Sequence, residues 1–178
     1  MSRLSDGLEQ GGTEFPTVYW PSWRCRASFF AECPLPDFEP SSLYAVLGFV
    51  FCGDRVALAD IRDRGYCIPS GKIEEGEEPL QAMVREAYEE TGARLDIGRM
   101  RSIGWYRLEA AGREDRICPV FVAQVDGFSE IPEGSESAGV RLAEMSEVPG
   151  IYFFWDELVE AVFGYAFGVQ ASSGWHGF

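Results

Sequence analysis

The chain has 178 residues, a length that fits one domain with a full hydrophobic core. Its formal net charge of −14 at pH 7 argues against broad electrostatic binding of nucleic acid or of an anionic membrane. No apolar run approaches the roughly 20 residues of a membrane span, and the first residues are unlike a signal peptide, so we expect a cytoplasmic protein. The five cysteines lack metal-type spacing, and we expect them to be reduced thiols.

Residues 1–41 are predicted to form an extension that precedes the main domain at residues 42–178. We expect the opening dozen residues to be disordered or a loose arm. Residues 15–30 differ, because they are rich in aromatic residues with Arg24 and Arg26 between them. Aromatic rings can stack on a nucleobase and arginines can bind phosphates, so this arm could bind substrate. The other interpretation is an added strand that packs on the core or forms a homodimer contact.

Residues 43–52 and 55–61 are apolar runs rich in strand formers, and the turn between them predicts a β-hairpin. A second turn at residues 62–65 precedes a short strand that leads into a loop. In that loop Pro69 and Gly71 impose an unusual backbone path. Such a path can direct backbone carbonyl groups at a metal ion or amide groups at a phosphate.

A helix is predicted over residues 79–91, directly after this loop. Pro79 suits the first helical turn, and Gly92 can adopt the left-handed conformation that ends a helix. An apolar stripe at helical spacing is predicted to pack inward. Its members are Leu80, Val84, Ala87 and Thr91, with Met83 beside them.

The same helix carries Glu86, Glu89 and Glu90 on an arc of roughly 100°, predicted to lie well away from the apolar stripe. Carboxylates three and four residues apart on a helix repel one another. A divalent cation such as Mg²⁺ or Mn²⁺ would turn that repulsion into attraction, because both ions prefer carboxylate oxygens. The alternative interpretation is a solvated acidic face on an acidic protein.

The remainder of the chain predicts a second set of strands and a last helix. Residues 94–108 read as extended segments with a break near Gly98, residues 117–125 as a strong strand, and residues 127–139 as a polar loop. Residues 155–163 have helical apolar spacing. The order of strands, helix, strands and helix suits an α/β fold with a mixed sheet flanked by helices.

Residues 71–93 resemble the Nudix (MutT-like) box, G-x5-E-x7-R-E-U-x-E-E-x-G-U, in which U is a bulky apolar residue. All strictly specified positions match: Gly71, Glu77, Arg85, Glu86, Glu89, Glu90 and Gly92. Both U positions hold alanine, and Ser70 stands where many members have a second glycine. The resemblance implies the Nudix α/β/α sandwich, a mixed central sheet flanked by helices, over roughly residues 42–165.

The resemblance also implies an activity: hydrolysis of a nucleoside diphosphate linked to another group, with Mg²⁺ or Mn²⁺ as cofactor. The metal ligands that it implies are Glu86, Glu89, Glu90 and the carbonyl group of Ser70. One of the glutamates would also orient or deprotonate water. Arg85 would orient the glutamates, and Glu77 would brace the loop. We expect Glu90→Gln to lower turnover by orders of magnitude in a folded protein.

Further site residues are expected outside the strict positions of the box. Members of the family often use one more glutamate from a distant loop, and Glu136 is the first candidate here, followed by Glu133. An ordinary acidic surface loop is the alternative. Lys72, the only lysine, and the turn arginines Arg62 and Arg64 are candidates for phosphate contacts, or are simply solvated cations.

The substrate is the least constrained part of this interpretation. Family subgroups often carry a marker about 16 residues past the box, which here is Leu108, with Tyr106 nearby. Leu108 is neither the proline of ADP-ribose enzymes nor the tyrosine of dinucleoside polyphosphate enzymes, and Tyr106 lies two residues before the marker position. We expect a nucleoside triphosphate or a nucleotide sugar. The alternatives are those two other substrate classes, a non-catalytic nucleotide-sensing domain, and a protein-interaction domain. His176, the only histidine, argues against a Ser–His triad.

Overall fold

The computed structural model describes residues 14–174, so the opening dozen residues and His176 lie outside the described part of the chain. The strands are β1 Val18–Trp20, β2 Cys25–Phe30, β3 Ala45–Cys52, β4 Arg55–Ile61, β5 Gly65–Cys67, β6 Ser70–Lys72, β7 Ala93–Arg94, β8 Met100–Glu109, β9 Arg116–Gln124, β10 Gly127–Phe128 and β11 Ser137–Ala143. The α-helices are α1 Pro79–Thr91, α2 Val148–Ile151 and α3 Glu157–Ser172. Short 3-10 helices occupy Pro40–Ser42 and Ile97–Arg99.

One mixed sheet organises the molecule. Its strand order is β1-β2-β8-β9-β3-β4-β11, with β5 paired to β4 and β6 paired to β3. The contact between β3 and β9 is parallel, and the other pairs in this sheet are antiparallel. Strands β7 and β10 form a separate antiparallel pair. The predicted hairpin is therefore confirmed as β3 and β4.

Strand β3 shows why both faces of the sheet are covered by helices. Successive side chains of a strand point to opposite faces. On one face, Val46 and Val50 pack in a cluster with residues of α1. On the other face, Phe49 and Phe51 pack in a larger cluster with residues of α3. A strand buried on both faces is a continuous apolar run, which explains its composition. The α/β/α sandwich predicted from sequence is confirmed.

Helix α1 has the bounds that its terminal residues predict. Gly92 adopts a φ of 71°, and its N–H group donates to the Tyr88 carbonyl at 2.8 Å, which ends the helix. The inward-facing stripe is only partly as expected. Met83, Ala87 and Thr91 are buried, whereas Leu80 and Val84 are partly exposed.

Three other expectations differ from the structure. Residues 127–139 are not one polar loop, because β10 occupies its start and β11 begins at Ser137. The last helix extends nine residues beyond Phe163, to Ser172. Ala166 and Gln170 are buried in this part of the helix, and their packing outweighs the low helix propensity of glycine at positions 164 and 168. The loop around Gly71 is partly the short strand β6, which pairs with β3.

The N-terminal segment joins the main sheet. Strand β2 pairs with β8 along its length from Arg26 to Phe30, and β1 pairs with β2. Ala27 and Phe29 are buried in the larger core cluster. The interpretation of this segment as an added strand on the core therefore describes β2.

None of the helices within residues 14–174 has the length and apolar character needed to cross a membrane. The five cysteines, all within this range, carry free thiols, and three of them are buried.

Candidate active site

The box helix, strand β6, the turn that contains Arg64 and the loop before β11 enclose an acidic cleft of about 600 Å³. Helix α1 contributes carboxylates to one wall, strand β6 forms the floor, and the loop before β11 forms the opposite wall. The side chains and backbone that line the cleft belong to Arg64, Ser70, Gly71, Lys72, Glu86, Glu89, Glu90 and residues 132–136. The structure thus brings together the three glutamates of the helix and both candidate glutamates of the distant loop.

Glu90 is buried, with 9% of its surface exposed, although its helical position predicted an outward carboxylate. It is buried because α1 packs against β6, and the Ser70 N–H group donates to Glu90 Oε2 at 2.9 Å. Burial raises the pKa of Glu90 to about 7. The Ser70 N–H group and the Arg64 guanidinium oppose the rise, whereas the charges of Glu86 and Glu136 add to it.

Glu86 is also buried with 9% exposed, and it lies directly against Gly71. A methyl group at Gly71 would lie 2.0 Å from Glu86 Oε1, so any larger residue there would force this carboxylate to move. Burial raises the pKa of Glu86, although Arg85 opposes the rise through a hydrogen bond and its charge. Glu89, in contrast, is exposed at the rim of the cleft.

Arg85 links the helix to the loop that precedes it. Its Nε and Nη2 atoms donate to the two carboxylate oxygens of Glu77 at 2.9 and 2.8 Å. Its Nη1 atom donates to Glu86 Oε1 at 2.6 Å and to Glu89 Oε2 at 3.4 Å. Nη2 also donates to the Lys72 carbonyl at 2.9 Å. A planar guanidinium can hold this bidentate contact with Glu77 while its Nη1 atom orients Glu86 through a single hydrogen bond.

Glu77 completes this brace. Its Oε2 atom also accepts from the Glu74 N–H group at 3.0 Å. The carboxylate therefore holds the turn at residues 74–77 and joins it to Arg85 on the helix. The Arg85 hydrogen bond holds the pKa of Glu77 below its usual range.

The loop before β11 is tied to both neighbouring elements. The Ser135 hydroxyl donates to the Glu89 carbonyl at 2.7 Å, and Arg62 Nη1 donates to the Ser135 carbonyl at 2.6 Å. Arg62, a candidate for a phosphate contact, thus ties this loop to the turn after β4, and its contact with phosphate stays a prediction. Glu136 faces the cleft closely enough to raise the pKa of Glu90, and it is exposed.

A second cavity of about 470 Å³ adjoins the acidic cleft, and it is largely aromatic. Both cavities are lined by Arg64, Ser70, Gly71 and Lys72, so they form one continuous concave surface. Aromatic residues from distant parts of the chain line the second cavity: Trp20, Trp23, Tyr44, Tyr106, Tyr152, Phe153 and Phe154. The Arg64 guanidinium lies 5.9 Å from the Phe153 ring centroid, between the two spaces.

Sequence reasoning missed most of this second cavity. The local indications were the aromatic residues of the segment at 15–30 and the run of aromatic residues at 152–155, directly before α3. Leu108, the position about 16 residues past the box, does line the cavity, as does Tyr106. Arg116 also contributes, with its guanidinium 4.0 Å from the Tyr44 ring centroid. These residues come from separate strands, and only the folded sheet brings them together.

The donor atoms of the cleft suit a hard divalent cation that also binds phosphate. Two buried carboxylates face one cleft, and each accepts one hydrogen bond, Glu86 from Arg85 and Glu90 from the Ser70 N–H group, so both keep oxygen lone pairs for a further ligand. Within residues 14–174, no three His, Cys, Asp or Glu side chains are arranged to hold a metal ion by themselves. Mg²⁺ commonly binds one or two carboxylates and completes its shell with phosphate oxygens and water. Glu86 and Glu90 therefore fit such an ion.

Comparisons with known proteins bear on the family of the chain. The family model described as NUDIX domain matches residues 43–161. An RNA pyrophosphohydrolase of Mesorhizobium japonicum is 49% identical over 51 residues, which are 26% of this chain and 30% of that protein. YtkD of Bacillus subtilis, provisionally assigned as an 8-oxo-dGTP diphosphatase, is 30% identical over 111 residues, 62% of this chain and 65% of YtkD. The matches thus span less than two thirds of each relative.

Solved structures share the fold. The crystal structure of a mutant of the Bacillus subtilis pyrophosphohydrolase BsRppH superposes with a TM-score of 0.71 and 21% identity, covering 90% of this chain and 98% of that chain. A NUDIX hydrolase from Nitrosomonas europaea superposes with a TM-score of 0.55 and 21% identity, covering 71% and 89%. The family model matches more than half of the chain, and four strictly specified residues of the box, Gly71, Glu86, Glu89 and Glu90, line one cleft. The chain therefore belongs to the Nudix family.

Proposed function

We propose that the acidic cleft hydrolyses a phosphoanhydride bond in a nucleoside diphosphate linked to another group, with Mg²⁺ or Mn²⁺ as cofactor. The observation that carries this proposal is the pair of buried glutamates, Glu86 and Glu90, held against β6 in a cleft that also contains two cations, Arg64 and Lys72. Carboxylates that hold metal ions and cations that bind phosphate oxygens are what attack on a polyanion requires.

Each side chain has a role in this proposal. Glu86, Glu89, Glu90 and the Ser70 carbonyl hold the divalent ion, and Arg85 keeps Glu86 in orientation through their hydrogen bond. When bound, the ion neutralises phosphate charge and lowers the pKa of coordinated water. The side chains that contact the substrate phosphates are Arg64 and Lys72.

Glu136 is the proposed general base. It lies on a different element from the other carboxylates, faces Glu90, and is exposed to the solvent of the cleft. Water would attack the phosphorus atom, its proton would pass to Glu136, and the bridging P–O bond would break to give two phosphate products.

The substrate is proposed to be a nucleotide with a 5′ polyphosphate, a nucleoside triphosphate or a nucleotide sugar first. The names of the relatives, RNA pyrophosphohydrolase and 8-oxo-dGTP diphosphatase, both denote hydrolysis of phosphate groups on a nucleotide. An RNA 5′ end is the second candidate, favoured by the 49% identity with the first of these over 51 residues. The net charge of −14 supports a mononucleotide over a long RNA.

A substrate panel tests the proposal. Nucleoside triphosphates, 8-oxo-dGTP, nucleotide sugars, ADP-ribose, dinucleoside polyphosphates and a triphosphorylated RNA oligomer would be incubated with Mg²⁺, with Mn²⁺ or with EDTA, and released phosphate and pyrophosphate measured. We expect turnover with either metal, no turnover in EDTA, and a loss of about 100-fold or more in Glu90→Gln.

Glu136→Gln and Glu133→Gln form a matched pair, because both carboxylates line the cleft from the same loop. A large loss of turnover in the first variant and a small loss in the second supports the assigned base. Equal activity of Glu90→Gln and the unaltered protein would contradict the ligand assignment. Nucleotide binding without turnover under any metal would favour the sensing domain instead.

A further inference from the structure

The aromatic cavity has one wall that comes from outside the segment matched by the family model. That segment covers residues 43–161. Trp20 and Trp23, in the hairpin of β1 and β2, line the cavity together with Phe153 and Phe154. The hairpin therefore contributes to the concave surface that continues into the acidic cleft.

Strand β2 and the turn that precedes it have separate roles. Strand β2 is part of the fold, because it pairs with β8 and buries Ala27 and Phe29. The turn between the strands is held by two hydrogen bonds, from the Trp23 N–H group to the Trp20 carbonyl and from the Arg24 N–H group to the Pro21 carbonyl, both at 3.2 Å. This turn carries Trp23 to the cavity.

Trp20 fixes the turn in place. Its Nε1–H group donates to Asp156 Oδ2 at 2.7 Å, and Asp156 Oδ1 accepts from the Val159 N–H group at 2.8 Å at the start of α3. The Trp20 ring also contacts Tyr106 and Phe154. These contacts hold the hairpin against the wall of the cavity.

Trp23 is unlike the packed aromatic residues of the fold. Its side chain lines the cavity, yet 48% of the residue is exposed. Its rings meet Phe153 at 88° and Phe154 at 61°, in edge contacts. Phe30 and Trp105, in contrast, stack on each other at 4.4 Å and 19°, so that each covers a face of the other. A large aromatic ring that is half exposed beside a cavity suits a planar ligand.

We propose that Trp23, positioned by Trp20, stacks on the base of the bound nucleotide, so that the hairpin outside the matched family segment forms part of the nucleoside site. The inference rests on the proposed function for the position of the phosphates. Arg64 and Lys72 line both cavities, so a phosphate chain held by them in the acidic cleft leaves the attached nucleoside beside the aromatic wall. Stacking on an aromatic side chain tolerates every base, because each base has a π face.

Binding of GMP measured by isothermal titration calorimetry with Mg²⁺ present tests this inference. GMP has no phosphoanhydride bond, so its binding is independent of turnover. Trp23→Ala should weaken GMP binding by about 5- to 150-fold, and Trp23→Phe should retain most of it. Ribose 5-phosphate, which lacks a base, should bind the unaltered protein and Trp23→Ala equally.

Tyr19→Ala is the matched control. Tyr19 lies in the same hairpin and is 62% exposed, but strand alternation places it on the opposite face from Trp20, and it does not line the cavity. GMP binding by this variant should equal that of the unaltered protein. Thermal unfolding of both alanine variants checks that the hairpin remains folded.

The outcomes separate this inference from the proposed function. Two results would overturn the role of Trp23 and leave the hydrolase proposal standing. One is turnover of a nucleoside triphosphate by Trp23→Ala with an unchanged KM, and the other is equal GMP affinity in Trp23→Ala and the unaltered protein. Absent turnover on every substrate with Trp23-dependent GMP binding would remove the hydrolase proposal and support the inference. A failure of the unaltered protein to bind GMP would overturn it.

Discussion

Replacing Glu90 by glutamine should make the metal-free protein more stable at alkaline pH, although we expect turnover to fall by about 100-fold or more. Glu90 is buried beside Glu86, and Glu136 adds a second negative charge. Glutamine keeps the shape of the side chain, and its amide oxygen can still accept from the Ser70 N–H group. The substitution therefore removes a buried charge with little change in packing.

The magnitude follows from the pKa of Glu90. Burial raises this pKa from an ordinary value of 4.5 to about 7, so the folded protein retains a proton that the unfolded chain has released. The stability contributed by this carboxyl group is complete below pH 4.5 and is lost as the pH rises through 7. At about 1.4 kcal/mol per pH unit, the loss is about 3 kcal/mol at pH 8 and below about 1 kcal/mol at pH 5. Glutamine does not titrate and avoids that loss.

Urea unfolding of both proteins in EDTA, at pH 5 and pH 8, measures the difference. At pH 8 the free energy of unfolding of Glu90→Gln should exceed that of the unaltered protein by about 3 kcal/mol, with a Tm roughly 6 to 12 °C higher. At pH 5 the two proteins should nearly coincide. Glu89→Gln is the control, because Glu89 is exposed and surface substitutions usually change stability by less than about 0.5 kcal/mol. An equal increase in the free energy of unfolding at both pH values, or no increase at pH 8, would show that the ionised Glu90 does not destabilise the fold.

Two further substitutions test how the elements are joined. Gly71→Ala places a methyl group 2.0 Å from Glu86 Oε1, so the carboxylate must move, and turnover should fall by about 100-fold in a steady-state assay. Gly139→Ala is the control and should have full activity, because a methyl group there meets no atom within 4 Å. Equal losses of turnover in Gly71→Ala and Gly139→Ala would contradict a specific role for the contact between Gly71 and Glu86. Trp20→Phe removes the hydrogen bond to Asp156 and should lower the free energy of unfolding by about 1 to 3 kcal/mol in urea, whereas an unchanged midpoint would show that this contact does not hold the hairpin.

Local chemistry explains which parts of the site were predictable. The bounds of the box helix depend on Pro79 at its first turn and on the positive φ of Gly92 at its end, and both effects act within a few residues. The contact of Arg85 with Glu77 spans eight residues, a spacing that the motif itself contains. For these reasons the helix, its loop and the family could all be derived from one short segment.

Other features depend on contacts between distant segments. The burial of Glu90 requires β6 to lie against α1, and the role of Arg62 requires β11 to begin beside the end of β4. The aromatic cavity requires Trp23 to meet Phe153, which is 130 residues away along the chain. No local pattern encodes such pairings, because they arise from the order of strands in the sheet.

The sequence by itself determined the family, the fold class and the set of carboxylates, because the Nudix box is contiguous and its spacing is set by helical geometry. The tertiary structure alone decided which carboxylates are buried, which arginine holds a loop, and where the aromatic residues converge. Burial changes the charge state of a carboxyl group, and burial is a property of the surrounding fold. The N-terminal hairpin gained its place beside the cleft in the same way, through its pairing with β8 and the hydrogen bond between Trp20 and Asp156.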